Sequence, residues 1–262
     1  MDAILDPRER ALSTIIKAAG EKALALFNDP DGLKISMKGA QDWLTHADGE
    51  VEAFIRAEVL KLFPDDHVMG EEEGGESGAR LWIVDPIDGT ANFARGDRLW
   101  CISVGFVLDG EPVLAGIFAP SLGEFYAARK GKGATMNGKP IHAAQTPSLD
   151  RSVVEIGWST RRPLSAYIDL VARAMEKGAS VKRSASGALG MTQVAIGRTD
   201  CYAEVHINSW DVVAGLLIAE EAGARCNDFI SGDWVRSGNP ILCAQPRLYD
   251  ALKALYSDYI PA

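Results

Sequence analysis

Apolar residues recur at helical spacing in two stretches near the start of the chain. The first begins at Asp6 to Glu9, a capping pattern with proline at the first helical position, and continues to Phe27. The second begins near Asp48 and ends before Pro64, because the residue before a proline avoids helical backbone geometry. We therefore expect two amphipathic helices, with extended or loop structure between residues 34 and 44.

The periodicity changes to short β-rich runs between Leu81 and about Ile141. Asp109-Gly110 and the glycines around Lys132 separate these runs as turns, which predicts an antiparallel sheet. Further along, strand and helix patterns alternate. The expected strands are 153–157, 180–183 and 200–205, and the expected helices are 163–177, 187–197 and 210–223. Such alternation indicates a layered α/β region.

These patterns predict an α/β (α+β) protein built from two subdomains that pack into one body. We place an N-terminal α+β subdomain at residues 1–142 and a C-terminal α/β subdomain at residues 143–262. A chain of 262 residues is long enough to bury a substantial core. It contains no repeats, low-complexity tracts or flexible linker.

Composition narrows the range of partners. The formal charge of -9 argues against binding to nucleic acid, which needs a basic face. The chain has no run of roughly 18 apolar residues, the length that a membrane span requires, so we expect no membrane partner and a cytoplasmic location. The cysteines are scattered without paired metal spacing, so we expect buried free thiols.

Four acidic segments stand beside turn residues and carry the candidate chemistry. They are Asp48 at a helix start, Glu71 to Glu73 after Gly70, Asp85 and Asp88 after an apolar strand, and Asp211 at another helix start. Each has a structural explanation, since acids cap helices and form turns and solvated loops. A structural turn seldom needs two acids, so the Asp85 and Asp88 pair favours a functional interpretation.

A metal site would explain all four segments together. Two carboxylates about 4 Å apart repel by roughly 4 kcal/mol at an effective dielectric constant near 20. Gathering several of them without cations would therefore cost more than a domain can spare. Mg²⁺ prefers hard oxygen ligands, and two ions about 3.5–4 Å apart can stabilise both the attacking and the leaving oxygen of a phosphoryl displacement.

The order and spacing of these segments resemble the signature of the inositol monophosphatase family, from about Lys38 to Gly223. The matching segments are Gly70-Glu71-Glu72, Asp85-Pro86-Ile87-Asp88-Gly89-Thr90, Trp210-Asp211 and Glu221-Ala222-Gly223. The resemblance implies the layered αβαβα sugar-phosphatase fold and a homodimer. It also implies hydrolysis of inositol-1-phosphate, or of a related polyol or sugar monophosphate, by a water molecule activated by two to three Mg²⁺ ions.

The resemblance further implies roles for individual residues. The metal ligands are Glu71, Asp85, the carbonyl of Ile87, Asp88 and Asp211. The catalytic residues are Asp48, Glu71 and Thr90, of which Thr90 and Asp48 orient the nucleophilic water, and Asp48 also lies near a third ion. The substrate-binding residues are Asp88, Gly89, Thr90, Ala185, Ser186, Gly187, Glu204 and Asp211.

Two of these substrate roles have a direct chemical rationale. The Gly89 and Thr90 amides are placed to receive phosphate oxygens. A carboxylate such as Glu204 is suited to accept hydrogen bonds from polyol hydroxyls. Glu204 alone would be read as a surface strand residue, but its position seven residues before Asp211 favours the site.

The sequence departs from the family pattern in the substrate segment. Ala185 replaces the usual glycine, Gly187 replaces a usual alanine, and Gly190 stands where many bacterial relatives have aspartate or asparagine. The metal motifs are intact. Hydrolysis of a phosphate ester is therefore better supported than any one substrate.

Competing interpretations differ in how well they fit. The aspartyl-phosphate mechanism of haloacid-dehalogenase-type phosphatases needs a nucleophilic aspartate where this chain has Pro86, and Pro86 and Ile87 also interrupt an EF-hand calcium loop. Within the family, phosphatases for histidinol phosphate, fructose-1,6-bisphosphate or nucleotide bisphosphates remain alternatives. A different class, a binding partner of the transcription machinery, also remains open, because some bacterial relatives are thought to act in that way.

Overall fold

The computed structural model describes residues 1–29, 31–39 and 42–260. Its helices are α1 (Asp2–Phe27), α2 (His46–Leu62), α3 (Thr90–Ala94), α4 (Leu164–Glu176), α5 (Gly187–Ala195), α6 (Ser209–Glu221), α7 (Trp234–Ser237) and α8 (Tyr249–Leu255). The first strands are β1 (Ile35–Gly39), β2 (Asp42–Thr45), β3 (His67–Gly70), β4 (Arg80–Asp88), β5 (Cys101–Leu108), β6 (Glu111–Ala119), β7 (Glu124–Arg129), β8 (Ala134–Met136) and β9 (Lys139–Pro140). The remaining strands are β10 (Val153–Ile156), β11 (Ser180–Lys182), β12 (Cys201–Ile207), β13 (Arg225–Cys226) and β14 (Asn239–Ala244).

Helix α1 begins at Asp2, earlier than the predicted start at Asp6, and Pro7 lies inside it. A proline this close to the helix start removes only one backbone hydrogen bond. Arg129 on β7 stabilises the additional turn, because its guanidinium binds the carboxylates of Asp2, Asp6 and Glu9 at 2.5, 2.7 and 2.7 Å. The capping interpretation of Asp6 was therefore wrong.

The first sheet has seven strands in the order β3-β4-β5-β6-β7-β8-β9. All neighbours are antiparallel except β3 and β4, which are parallel. Alternate residues of β4 point to opposite faces, as the strand period of two requires. Trp82 and Val84 pack in the cluster that contains α1 and α2, whereas Leu81 and Ile83 pack in the cluster that contains α5 and α6.

The second sheet has five strands in the order β11-β10-β12-β14-β13. Strand β10 is parallel to both β11 and β12, and β14 is antiparallel to β12 and β13. Helices α4 and α8 contribute to the cluster on one face of this sheet, while α5 and α6 lie against the other. Because α6 is covered by both sheets, its residues from Val212 to Ala219 are all buried.

The layers therefore follow the order helices, sheet, helices, sheet, helices, which confirms the expected αβαβα arrangement. The seven-stranded sheet is formed before residue 142 and the five-stranded sheet after it. The division into two subdomains at that position stays a prediction. None of the helices in the described part of the chain combines the length and the apolar character needed to cross a bilayer.

Candidate active site

The two acids of the central motif lie where β4 ends in a bulge. Strand β4 stays in register with β5 until Asp85 faces Ser103, and the register then shifts so that Asp88 faces Cys101. A bulge of this kind redirects side chains at a strand end. The amide of Ile87 donates to Asp85 Oδ1 at 2.9 Å, and both carboxylates are buried.

Asp211 approaches the same place from the first turn of α6. Its Oδ2 accepts hydrogen bonds from the backbone and side-chain nitrogens of Asn208, each at 3.2 Å, which forms a capping box. One oxygen each of Asp85, Asp88 and Asp211 lies within 4.8 Å of the others. The structure thus brings together three of the predicted metal ligands from distant parts of the sequence.

Burial makes these carboxylates difficult to ionise without a cation. It raises the pKa of Asp85 well above its usual value, and the charges of Glu71, Asp88 and Asp211 raise it further. Burial, followed by the charge of Asp211, raises the pKa of Asp88 to about 7. The pKa of Asp211 is raised mainly by burial. A compact set of oxygen donors whose negative charges repel one another suits a hard divalent cation.

Glu71 follows directly after β3 and is held by the neighbouring backbone. Its amide donates to the Val84 carbonyl at 3.2 Å. The buried Glu52 on α2 accepts hydrogen bonds from the next two amides, those of Glu72 and Glu73, at 2.8 and 3.0 Å. Gly70 leaves room for this contact, because a Cβ atom there would lie 2.1 Å from Glu52 Oε1 and would displace the Glu52 carboxylate.

Asp48 and Thr90 form the pair that the resemblance implied. Thr90 Oγ1 lies 3.1 Å from Asp48 Oδ1 and 3.0 Å from the Ile87 carbonyl, so its single proton can serve either acceptor. Asp48 Oδ2 accepts from the amide and hydroxyl of Thr45 at 2.8 and 2.6 Å. Burial is the main cause that raises the pKa of Asp48. Asp48 therefore belongs to the capping box of α2 and also contacts Thr90, which lines the candidate site.

The segment before α5 is bound to Asp88. Ser186 Oγ and the Ala188 amide donate to Asp88 Oδ2 at 2.6 and 2.7 Å, and the Gly187 amide donates to Oδ1 at 3.2 Å. Ala185 has a φ of 62°, in the left-handed region that favours glycine. This conformation explains why glycine suits the position and shows that alanine is accommodated there with strain.

An inner cavity of about 160 Å³ extends from Asp88 and Asp211 to Glu204. Tyr202 donates to Glu204 Oε2 at 2.6 Å, and burial is the main cause that raises the pKa of Glu204 to about 8. Gly157 leaves room for this pair, since a Cβ there would lie 2.0 Å from Glu204 Oε2 and would displace the Glu204 carboxylate.

The same cavity explains the departure at Gly190. A Cβ atom at this position would lie 2.4 Å from the Tyr202 ring. The ring therefore fills the space that an aspartate or asparagine side chain would need.

Glu155 on β10 lines the inner cavity and was not found by the sequence reasoning. It is buried, accepts a hydrogen bond from the Ser184 amide at 2.8 Å and another from the Ser184 hydroxyl, and its Oε2 lies 3.1 Å from Lys182 Nζ. A charged residue within the apolar run Val153–Ile156 is the one signal that could have indicated it, since glutamate is almost never buried without a partner.

An outer cavity of about 330 Å³ lies next to the inner one. Glu71, Gly89 and Thr90 line one part of it, and Arg95 and Thr160 line another. Gly89 has a φ of 94°, and a Cβ atom there would lie 2.8 Å from the Leu99 carbonyl, so the position requires glycine. Trp158, Arg183 and Ala185 line both cavities and lie between them.

Comparisons of sequence and fold with known proteins point to one family. Residues 5–260 match the model of the inositol monophosphatase family. An inositol-1-monophosphatase of Rhizobium meliloti is 32% identical over 263 residues, which cover 97% of this chain and 99% of the relative. The Nus factor SuhB of Xylella fastidiosa is 35% identical over 229 residues, which cover 85% and 83%.

A solved structure extends the agreement to the fold. The IMPase of Thermotoga maritima superimposes with a TM-score of 0.85 at 30% identity, and the match covers 99% of this chain and 98% of that one. The family match across nearly the whole chain and this superposition lead to the same assignment. The chain belongs to the inositol monophosphatase family.

Proposed function

We propose that this protein is a Mg²⁺-dependent phosphomonoesterase that hydrolyses inositol-1-phosphate or a related polyol monophosphate with a metal-activated water. The observation that carries the proposal is the convergence of Asp85, Asp88 and Asp211 oxygens within 4.8 Å of one another, beside a cavity that Asp88, Asp211 and Glu204 line. The name of the Rhizobium meliloti relative, an inositol-1-monophosphatase, supports the choice of substrate.

In this proposal Glu71, Asp85, the Ile87 carbonyl, Asp88 and Asp211 hold two or three Mg²⁺ ions. When bound, Mg²⁺ lowers the pKa of a water ligand and polarises the phosphate. Oxygen-only donors and the raised pKa values of the buried acids fit this role, because a cation would relieve the repulsion among the carboxylates.

The remaining roles follow from the contacts of the protein itself. When Thr90 Oγ1 donates to the Ile87 carbonyl, its lone pairs and Asp48 Oδ1 can accept hydrogen bonds from the attacking water. These hydrogen bonds orient the water, and Glu71 assists. The Gly89 and Thr90 amides bind phosphate oxygens. Residues 185 to 187 border the substrate. Glu204 Oε1 accepts a hydrogen bond from a substrate hydroxyl, because Oε2 already accepts one from Tyr202.

The test is phosphate release from inositol-1-phosphate with and without Mg²⁺, beside histidinol phosphate, fructose-1,6-bisphosphate and a nucleotide bisphosphate. We expect Mg²⁺-dependent turnover that is fastest for the inositol ester and that Asp88→Asn abolishes. Asp65→Asn is the matched control, because Asp65 is exposed and outside both cavities. Much faster hydrolysis of another ester would move the substrate assignment, and no turnover of any ester would refute the proposal.

The proposal includes a cytosolic homodimer. Leu164, Ile168 and Met175 of α4 are 58, 53 and 60% exposed, and their spacing places them along one side of the helix. Covering this apolar stripe with a second copy would remove it from water. Light scattering should give a dimer that Ile168→Glu dissociates and that Leu60→Glu, at an exposed leucine of α2, leaves intact. A monomeric wild-type protein would overturn this part.

A second candidate function rests on the relatives named Nus factor SuhB. It holds that the protein acts mainly as a binding partner of the transcription machinery. A cell that depends on this protein distinguishes the two functions: survival with catalytically inactive Asp88→Asn favours the binding role, and loss of survival favours the phosphatase.

A further inference from the structure

Arg161 connects the loop that follows β10 to the start of α6. Its guanidinium donates a hydrogen bond to Asn208 Oδ1, and the two residues are 47 positions apart in the sequence. The loop borders the candidate site, because Trp158 lines both cavities and Thr160 lines the outer one. Arg161 is exposed, whereas Asn208 is half-buried. This contact therefore joins a wall of the cavities to the residue that caps α6.

Asn208 in turn holds the Asp211 carboxylate. The backbone and side-chain nitrogens of Asn208 both donate to Asp211 Oδ2, each at 3.2 Å, and its side chain faces the Asp211 amide in the capping box. An oxygen of Asp211 lies within 4.8 Å of oxygens of Asp85 and Asp88. A contact that fixes Asn208 thus acts on a proposed metal ligand from outside the ligand set.

An asparagine amide keeps one orientation only when its neighbours favour that orientation. Its oxygen accepts hydrogen bonds and its nitrogen donates them, and a half-turn of the group exchanges the two. A guanidinium has donors alone, so Arg161 requires the oxygen, whereas an ionised Asp211 requires the nitrogen. Among the residues that the structure describes, Arg161 is the one side chain that donates to Asn208 Oδ1. It therefore favours the orientation in which Asn208 Nδ2 faces Asp211 Oδ2.

The charge of Arg161 alone would have the opposite effect on a bound cation. Burial is the largest influence on the pKa of Asp211 and raises it, whereas the charge of Arg161 is among the influences that lower it. A positive charge that reaches Asp211 also repels a cation bound there. Loss of the charge should strengthen Mg²⁺ binding, and loss of the hydrogen bond to Asn208 should weaken it. The sign of the change therefore distinguishes the two effects.

We propose that Arg161 is a positioning residue, which holds Asp211 in place for Mg²⁺ through the side chain of Asn208. This inference rests on the metal site of the proposed function and adds a residue that lies outside the proposed metal-ligand and substrate-binding sets. Because the loop that carries Arg161 also borders both cavities, it links the binding of metal to the binding of substrate.

Calorimetric titration with MgCl₂ at about pH 8, without substrate, measures the effect directly. Arg161→Met removes the donors and the charge but keeps a long side chain, and its Mg²⁺ affinity should fall about three- to tenfold. Arg161→Lys keeps a charged donor and should regain most of the affinity. Without metal, Arg161→Met should melt within about 2 °C of the wild type, because the substituted side chain is exposed.

Arg162→Met is the matched control for the loss of charge. Burial is the main cause that lowers the pKa of His206, and the charges of Arg161 and Arg162 both lower it further. Arg162 is also exposed, and in the described part of the chain its side chain makes no hydrogen bond or ion pair. The Mg²⁺ affinity of Arg162→Met should stay unchanged or rise slightly. The same result for Arg161→Met would overturn the inference, because charge alone would then explain it.

A double-mutant cycle tests whether Arg161 acts through Asn208. Asn208→Ala should lower the Mg²⁺ affinity about tenfold, because the side-chain hydrogen bond to Asp211 is lost. In the Asn208→Ala background, Arg161→Met should cause no further fall. A further fall as large as that in the wild type would show that Arg161 acts by another route, and the inference would be wrong.

Binding without substrate separates this inference from the phosphatase activity. If no ester is hydrolysed but Arg161→Met weakens Mg²⁺ binding, the phosphatase proposal fails and the role of Arg161 stands. If Mg²⁺-dependent hydrolysis is found but Arg161→Met binds Mg²⁺ as tightly as the wild type does, the role of Arg161 fails and the phosphatase proposal stands. A wild-type protein that binds no Mg²⁺ would overturn both.

Discussion

The stability of the metal-free protein should fall as pH rises, and Mg²⁺ should reverse the fall. Burial raises the pKa of Asp88 from 3.8 to about 7. A raised pKa means that the folded state binds the proton more tightly than the unfolded state does. The resulting stability is present at low pH and is lost as pH increases from about 4 to about 7.

The magnitude follows from the size of the pKa shift. One pKa unit corresponds to about 1.4 kcal/mol, so a shift of roughly three units removes on the order of 4 kcal/mol of unfolding free energy by pH 8. The pKa values of Asp85 and Asp211 are raised too, so they act in the same direction. A cation that binds only the ionised acids would therefore stabilise the protein far more at pH 8 than at pH 5.

Thermal melting with and without Mg²⁺ at both pH values measures this effect. At a Mg²⁺ concentration of about 100 Kd, binding adds about 2.7 kcal/mol, or roughly 5–10 °C in Tm for a chain of this size. We expect that increase at pH 8 and less than about 2 °C at pH 5. NaCl at matched ionic strength should not reproduce it.

Asp88→Asn provides the decisive comparison. This variant removes a buried charge, which stabilises the metal-free protein at pH 8. The loss of part of the hydrogen bonding to Ser186, Gly187 and Ala188 offsets some of this gain. Without metal at pH 8, the variant should therefore be more stable than the wild type by on the order of 2 kcal/mol. Asp65→Asn should match the wild type. An equal Mg²⁺ effect at pH 5 and pH 8, or a metal-free Asp88→Asn that melts below the wild type at pH 8, would refute the reasoning.

Three further substitutions test the geometry of the site. Gly157→Ala should raise KM at least tenfold, because its Cβ would lie 2.0 Å from Glu204 Oε2, and steady-state kinetics would contradict this if KM stayed within about twofold. Thr90→Ala should lower kcat by about 100-fold or more, whereas Thr90→Ser should retain most of the activity, because it is the hydroxyl that contacts Asp48 and Ile87. An equal loss of kcat in both variants would exclude a role for the hydroxyl. Ala185→Val should lower the free energy of unfolding by about 1–3 kcal/mol, because a β-branched residue is strained at a φ of 62°. Ala185→Gly should not lower it. Equal stability of the two variants in urea denaturation would contradict this reasoning.

Most of the fold could be predicted from periodicity. The helix predicted at residues 210–223 is α6, Ser209–Glu221, and the one at 163–177 is α4, Leu164–Glu176. Beyond residue 223 no element was predicted, so β14 with six residues and α8 with seven were missed. Other missed elements are shorter, among them β3 with four residues, β13 with two and α7 with four. Windows of two to four residues are too short to show a period, and β3 and β13 form by pairing with β4 and β14.

The site likewise contains residues that were predicted from the sequence and residues that were missed. The convergence of Asp85, Asp88 and Asp211 was expected from the resemblance to the family signature. The position of each acid at a strand end or a helix start left a turn or capping role open as well. Glu52 and Glu155 were missed, because the backbone amides that they bind lie 20 to 29 residues away in the sequence. Nothing in the local pattern distinguishes an arginine that faces a cavity, such as Arg183, from one on an ordinary surface.

Asp88 connects the two halves of the site. It stands at the end of β4 beside Asp85, yet three of its hydrogen bonds come from residues 186–188. Asn92, in α3 just after the motif, strengthens the connection, because its side-chain nitrogen donates to the Ser184 carbonyl at 2.8 Å. Any displacement of the Ser184 to Ala188 segment therefore shifts or weakens the hydrogen bonds that hold the Asp88 carboxylate. In the proposed enzyme, the segment that borders the substrate and the carboxylate that holds the metal must consequently be ordered together. Substitutions in the substrate segment should therefore change metal affinity as well as specificity, even though none of its side chains belongs to the proposed ligand set.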